Sequence, residues 1–571
     1  MFRAFIGIIF TFALVITNLI VSMTEIKSTV YALVLIFSSI VAYSQNQVAG
    51  VPLSFGRALN TETVSTVDIP SPSAAVILEN ETAHSLAYRF AINIPVNFSF
   101  TNSGNTELLA DGQKVWRLAI HAEAAKSLIL YFDRFNLPAG GKLFVYNQRR
   151  TQMYGAYTSA NNNSFGTFAC PLIEGEALVL EYNAPSGLEP PDLHISEVAY
   201  SFRGVSLLMG NSSLSSSGKC EVNVNCSEGD NWQNQKRGIV KLIIKDSLGH
   251  SSFCSGSMIN NTGYNGIPYL LTADHCGRAA RAIDISQWLF YFNYEMPGCT
   301  NTTPRENTTL LGAVKIAHGG TEMTGSDFFL VRLSESIPDS LHVYFNGWSR
   351  EDYPSPSGTG IHHPWGDVKK ISTYTTRLAT INWPGNPNAC HWQVYWAQTE
   401  HGHGVTEGGS SGSPIFNSDG LITGTLTGGD SSCDSNSLNL PDYYGKFSWH
   451  WDQNGSDSAW MLKCWLDPTN SGIKKLGGWS LGIKDELLTS ISLYPNPTHQ
   501  KATLNLENEG LPNEGISLSL IDLLGNPCQV PIVEEIAHTR YSFDLQSLSQ
   551  GMYFVVVSGR KYQKSFKLIK M

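Results

Sequence analysis

The sequence predicts an all-β chain built from several units, and three observations carry that prediction. Charged residues make up only 15% of the 571 residues, whereas Gly occurs 51 times and Tyr 23 times. Short apolar runs alternate with polar positions and stop at clusters of Gly, Pro and Asn. Long helical periodicity is scarce. Short alternating runs bounded by turn residues are the mark of sandwiches and barrels. The length exceeds one ordinary domain. The net charge of −10 argues against a nucleic-acid partner, which needs a basic face.

Taken in order, residues 1–44 read as a signal region. Two apolar runs, Phe5 to Val21 and Val30 to Val41, precede Ala42-Tyr43-Ser44. A basic start, a short apolar core and small closing residues suit export, with Met23 a candidate true start. Neither run fills the roughly 20 residues of a bilayer helix before a charge or polar break. Residues 45–217 follow, with strand-like runs at Phe90 to Phe98, Lys126 to Phe132 and Lys142 to Tyr146. They read as a β-sandwich-like unit, and Gly210 to Gly218 as an exposed linker.

Residues 218–475 hold most of the ten cysteines, which after a signal region suggests disulfides. Strand candidates are Gly238 to Ile244, Tyr269 to Thr272, Phe328 to Leu333 and Leu421 to Leu426, with a short closing helix at Trp460 to Leu466. Residues 476–571 comprise a linker and a small sandwich, with strands at Ile491 to Tyr494, Ala502 to Leu506, Ser517 to Leu520 and Tyr553 to Ser558.

Three motifs in 218–475 carry chemistry. Gly408-Gly409-Ser410-Ser411-Gly412-Ser413-Pro414 can present a serine on a tight turn with backbone N–H groups nearby. A hydroxyl at its free pKa is a weak nucleophile, so it needs a base and a site for the oxyanion. Leu271-Thr272-Ala273-Asp274-His275-Cys276 offers the base, because a neutral imidazole accepts a proton near pH 7. Asp327, at the mouth of the apolar run Phe328 to Leu333, can orient that imidazole. Singly, each has a bland reading as a surface loop, a lone histidine or a turn aspartate. Their joint presence in the order His, Asp, Ser does not.

These motifs resemble those of trypsin-like serine proteases, which implies a double β-barrel, a triad of His275, Asp327 and Ser411, and an oxyanion hole from the amides of Gly409 and Ser411. Cys220-Glu-Val-Asn-Val-Asn-Cys226, Gly360-Ile-His-His-Pro-Trp-Gly-Asp367 and Trp465-Leu-Asp-Pro-Thr narrow the resemblance to bacterial lysyl endopeptidases. That family implies Asp442 as the carboxylate that selects lysine, with Thr427, Gly428 and Gly429 as the wall beside the substrate. At Thr427 well-known members carry a histidine. The family also implies disulfides Cys220–Cys433, Cys226–Cys299 and Cys254–Cys276. Cys390 and Cys464 are left over and could pair, while Cys170 and Cys528 stay open.

By the same resemblance 45–217 is a pro-segment, processed between Arg203 and Cys220, with Lys219-Cys220 and Arg203-Gly204 as rival bonds. Leu493-Tyr494-Pro495-Asn496-Pro497 and Gly551-Met552-Tyr553 resemble the sorting domain of the type IX secretion system, implying export through the periplasm by that machinery. The expected function is a secreted endopeptidase cutting after lysine through an acyl-enzyme. Arginine or mixed preference is the rival, and a silent surface-binding protein the alternative from another class. A monomer acting on protein or peptide substrates is expected, without cofactor. His362-His363 and His401-Gly-His403 lack a third nearby ligand, so metal chemistry is not expected.

Overall fold

A strand buried on both faces is central to the first unit: Leu128, Ile129, Leu130, Tyr131 and Phe132 of Ser127–Asn136 share one core cluster with Val198 and Tyr200 of Asp192–Ser201. The computed structural model describes residues 50–57, 64–82, 86–204, 217–305, 308–480, 492–506, 517–522, 527–536, 540–559 and 562–571. The expected signal region and segment 205–216 of the expected linker lie outside the described residues. The first unit has two sheets. One runs in the order Ser65–Asp68, Lys114–His121, Ala177–Ala184, Lys142–Asn147, Met153–Tyr157. The other contains Tyr88–Ser99, Asp192–Ser201 and Ser127–Asn136.

That second sheet continues into the next unit. Tyr88–Ser99 pairs antiparallel with His250–Met258, so one 12-stranded sheet spans both. The core is shared as well: Phe90, Tyr131 and Phe132 belong to the same buried cluster as Ile243, Phe253, Tyr291 and Tyr294. Phe90 stacks on Phe253 with ring centroids 4.0 Å apart. Polar ties cross the same face. Tyr131 Oη meets Ser251 Oγ at 2.8 Å, Gln287 Nε2 donates to the Phe132 carbonyl at 2.8 Å, and Lys245 pairs with Glu197 at 2.7 Å. Burial of many aromatic rings dominates such an interface, since each contributes about 1.5–3 kcal/mol when fully covered.

The central unit has two all-β halves. The first joins Ile239–Lys245, His250–Met258, Tyr269–Thr272 and Phe329–Leu333. The second is a ten-stranded sheet that includes Gly358–His362, Pro414–Asn417, Ile422–Gly429, Asp442–Lys446 and His391–Val394. This agrees with the all-β, double-barrel expectation. The expected closing helix is split into a turn at Ser458–Trp460 and a short helix Lys463–Leu466, and a further helix occupies Phe447–Asp452. Two four-stranded sheets form the C-terminal sandwich around Ala502, Leu504, Phe543, Val555 and Leu568.

Candidate active site

The histidine is presented by a strand that runs out. Tyr269–Thr272 ends at Ala273, and one helical turn, Asp274–Gly277, carries His275 inward. Cys276 of that turn is bonded to Cys254, which anchors the turn to strand His250–Met258. Asp327 has a backbone φ of 58°, a left-handed conformation that Asp tolerates better than most residues. Its carboxylate holds His275 at two points. Oδ1 accepts the His275 backbone N–H at 2.9 Å, and Oδ2 lies 2.8 Å from Nδ1. An ionised carboxylate can only accept, so Nδ1 carries the proton and Nε2 is left as the basic nitrogen. Nε2 is buried and has no hydrogen-bond partner among the described residues.

Gly409 and Gly412 have φ of 93° and 80°, which lets the turn between them project Ser411. The turn is tied down from behind. Ser255 N–H donates to the Ser411 carbonyl at 2.8 Å, and Ser255 Oγ donates to the Gly409 carbonyl at 2.9 Å. Ser410 is committed to the scaffold: its Oγ lies 2.8 Å from His362 Nδ1. His362 Nε2 faces Ser372 Oγ at 3.0 Å, and that hydroxyl donates to the Val405 carbonyl. The chain of donors makes Ser410 donate to His362, whose pKa burial pushes down to about 3. The His362-His363 pair therefore acts as neutral scaffolding. His401 pairs instead with Glu228, and His403 bonds the carbonyl of Gly404.

Ser411 Oγ donates not to His275 but to the backbone carbonyl of Leu86, at 3.0 Å. The amides of Gly409 and Ser411 have no acceptor among the described residues. Histidine, aspartate, serine and two unused N–H groups thus stand together, with a stretch of the N-terminal unit lying across them.

Asp442 opens strand Asp442–Lys446 and pairs in register with Gly429 of the wall strand. It is fully buried. Oδ2 accepts Trp396 Nε1 at 2.6 Å, Thr406 Oγ1 at 2.7 Å and Ser431 Oγ at 2.6 Å. Among the described residues Oδ1 receives only the Ser431 N–H, at 3.3 Å. Burial raises the pKa of this carboxyl, opposed by the bonds from Ser431, Trp396 and Thr406. A Cβ at Gly429 would stand 2.0 Å from Oδ1, so only glycine fits against that oxygen. Thr427 Oγ1 lies 3.1 Å from Nε2 of buried His391, whose ring sits 5.6 Å from that of Trp383. A histidine is thus present behind the wall strand from a different element.

Cys220–Cys433, Cys226–Cys299 and Cys254–Cys276 are all bonded. Cys390 and Cys464 do not pair: the first is buried and the second exposed. Sequence reasoning did not find Leu86, His391 or the three side chains that hold Asp442, because no local pattern records contacts that cross from one loop or strand to another.

A buried base oriented by a carboxylate, on a turn that touches the glycine turn of a serine with free amides, has the parts for nucleophilic acyl transfer. The fold and site define that class. Residues 214–445 match the family described as lysyl endopeptidase, C-terminal domain, and residues 492–571 match the secretion system C-terminal sorting domain. A lysyl endopeptidase of Pseudomonas aeruginosa is 29% identical over 290 residues, covering 49% of this chain and 60% of the relative. The chain thus matches three fifths of that relative's length. Among solved structures, a kallikrein-related peptidase 10 complex with Zn2+ is 15% identical, with a TM-score of 0.26 over 37% of this chain and 90% of that one. The protease Anisep from Arthrobacter nicotinovorans is 16% identical, with a TM-score of 0.28 over 38% and 91%.

Proposed function

We propose that residues 218–475 form a secreted serine endopeptidase that cleaves peptide bonds on the carboxyl side of lysine. Ser411 is the nucleophile, His275 its base and then the acid for the leaving amine, and Asp327 the group that orients His275. The amides of Gly409 and Ser411 receive the oxyanion, and an acyl-enzyme on Ser411 is released by water. Asp442 is the observation that carries the lysine reading. A buried carboxylate whose second oxygen accepts only one long backbone bond, beside the wall strand, is costly until a cation reaches it. An apolar residue after Ser411 attack brings no such compensation. Arginine is the second reading, since a carboxylate accepts either cation.

In the same reading residues 45–217 are a pro-segment and the C-terminal sandwich directs export through the type IX machinery. The test is cleavage-site profiling of a peptide library by the purified processed enzyme, with Ser411→Ala as control. Cuts after lysine that vanish in the variant are expected. Persistent cleavage in Ser411→Ala, or cuts with no basic residue before the bond, would refute it.

A further inference from the structure

Six contacts trace the path of the chain through the cleft. The Leu86 carbonyl meets Ser411 Oγ, and its side chain lies against the wall strand, where a Cβ on Gly428 would stand 3.4 Å from Leu86 Cδ2. Ala87 packs on the cluster that contains Cys254 and Cys276, the disulfide next to His275. Tyr88 pairs in antiparallel register with Phe253. Its ring stands edge-on to Trp365 at 4.4 Å and is within 6.3 Å of the Phe253 ring. From N to C, the chain therefore runs from the wall strand, past the serine, to strand His250–Met258.

A substrate has to run the same way. Its acyl residue belongs on the wall side, where Asp442 lies opposite Gly429. Its leaving amine belongs on the side of His275, which must protonate it. We propose that residues 86–88 occupy the cleft in the register of a substrate, with Leu86 as the residue before the bond and Ala87 and Tyr88 as the first and second after it. This rests on the endopeptidase reading above. It also assigns two leaving-side subsites. The first, against the buried cluster that contains Cys254 and Cys276, takes a small residue. The second, between Phe253 and Trp365, takes an aromatic ring, with strand pairing to His250–Met258 fixing its backbone.

The bond between Leu86 and Ala87 survives for reasons visible in the site. An isobutyl group brings no cation to Asp442. Ser411 donates its proton to the Leu86 carbonyl, so the hydroxyl is not directed at His275 Nε2. That carbonyl takes no hydrogen bond from the Gly409 or Ser411 amides, so it is not polarised for attack.

The full secreted chain gives the test. Intact and processed forms, resolved by electrophoresis, are exposed together to a fluorophosphonate. Ser411 in the intact form is expected to label at least tenfold more slowly. Equal labelling overturns the occupancy; no labelling of either form sinks the endopeptidase reading itself, and the inference with it. Separately, Leu86→Lys and Leu86→Arg place a basic residue before the bond in the full chain. A new N-terminus at Ala87, in whichever variant matches the preference of the processed enzyme, supports the register. If the processed enzyme cuts basic peptides but neither variant is cut after position 86, the register is wrong. In a library varied after the cleaved bond, an aromatic residue at the second position is expected to be favoured at least fivefold over glycine. A flat profile there overturns the aromatic subsite.

Discussion

Replacing Asp442 by Asn keeps the size of the side chain and removes its charge. The amide oxygen can still accept from Trp396, Thr406 and Ser431, which converge on one carboxylate oxygen. The amide nitrogen then faces the Ser431 N–H, donor against donor, where the second oxygen now sits at 3.3 Å. That mismatch costs about 1–3 kcal/mol of folding stability, offset in part because a buried charge is gone. The larger effect is on catalysis. A lysyl ammonium entering beside Gly429 would lose its counter-charge in a fully buried setting, a loss of about 2–5 kcal/mol. At tenfold per 1.4 kcal/mol, kcat/KM on lysyl peptides should fall by about two to three decades. Matched peptides with lysine or a neutral residue before the bond provide the assay. The loss should be confined to lysine. The pKa of Asp442 is raised by burial, so its protonated form persists to higher pH than for an ordinary carboxyl. The sign follows: lysyl kcat/KM declines as pH falls through that raised value, and this acid limb disappears in Asp442→Asn. Unchanged lysine selectivity, or an equal loss on neutral peptides, would refute the assignment.

Asp274 gives a pH-dependent stability effect. Burial, then the neighbouring charge of Asp327, raises its pKa from 3.8 to about 6. The folded state thus holds a proton that the unfolded chain releases earlier, and the penalty is absent below pH 3.8 and complete above 6. Asp274→Asn should therefore gain roughly 3 kcal/mol at pH 8 and little at pH 4, read from denaturant melts. A gain at both pH values alike would contradict this account. Breaking Cys254–Cys276 with Cys254→Ala and Cys276→Ala together opens a loop of sequence separation 22. The chain-entropy model puts the cost at about 3 kcal/mol, and activity should fall more steeply with temperature than in the wild type. Deleting residues 485–571 should leave the protein in the periplasm, scored by cell fractionation; normal appearance outside the cell would remove the sorting role.

What could be read from the sequence follows how local each signal is. His275, Asp327 and Ser411 each lie within three residues of a strand end, so a few flanking residues announce them. Strand Tyr269–Thr272 has the bounds its apolar run predicts. The helix Phe447–Asp452 was missed because Phe-Ser-Trp-His-Trp-Asp alternates like a strand, and packing of Phe447 and Trp451 against Trp348 overrides that pattern. The end of the expected linker is anchored rather than exposed. Ser217 Oγ donates to Asp367 at 2.5 Å and Gly218 N–H to Glu407 at 2.9 Å, partners that a Ser-Gly composition cannot reveal. Leu86 and Ser411 are 325 residues apart, and no periodicity records a contact of that span. Asp442 was legible only through resemblance, because Trp396 and Thr406 come from the connection between His391–Val394 and Pro414–Asn417, and Ser431 from another that follows Ile422–Gly429.

The sheet shared between the first two units has a consequence for the order of events during synthesis. Strand His250–Met258 meets Tyr88–Ser99 along its first residues, and Phe253 is covered by Phe90. The covering strand leaves the ribosome before the strand it covers. The N-terminal unit can therefore be a finished template when the central unit emerges, and the slow, long-range pairing of that unit begins on an existing edge. A central unit expressed alone would have to close its first half with Phe253, Tyr291 and Tyr294 bare. If the N-terminal unit is removed as proposed, the native state of the central unit is reached with the template and kept afterwards by a high barrier.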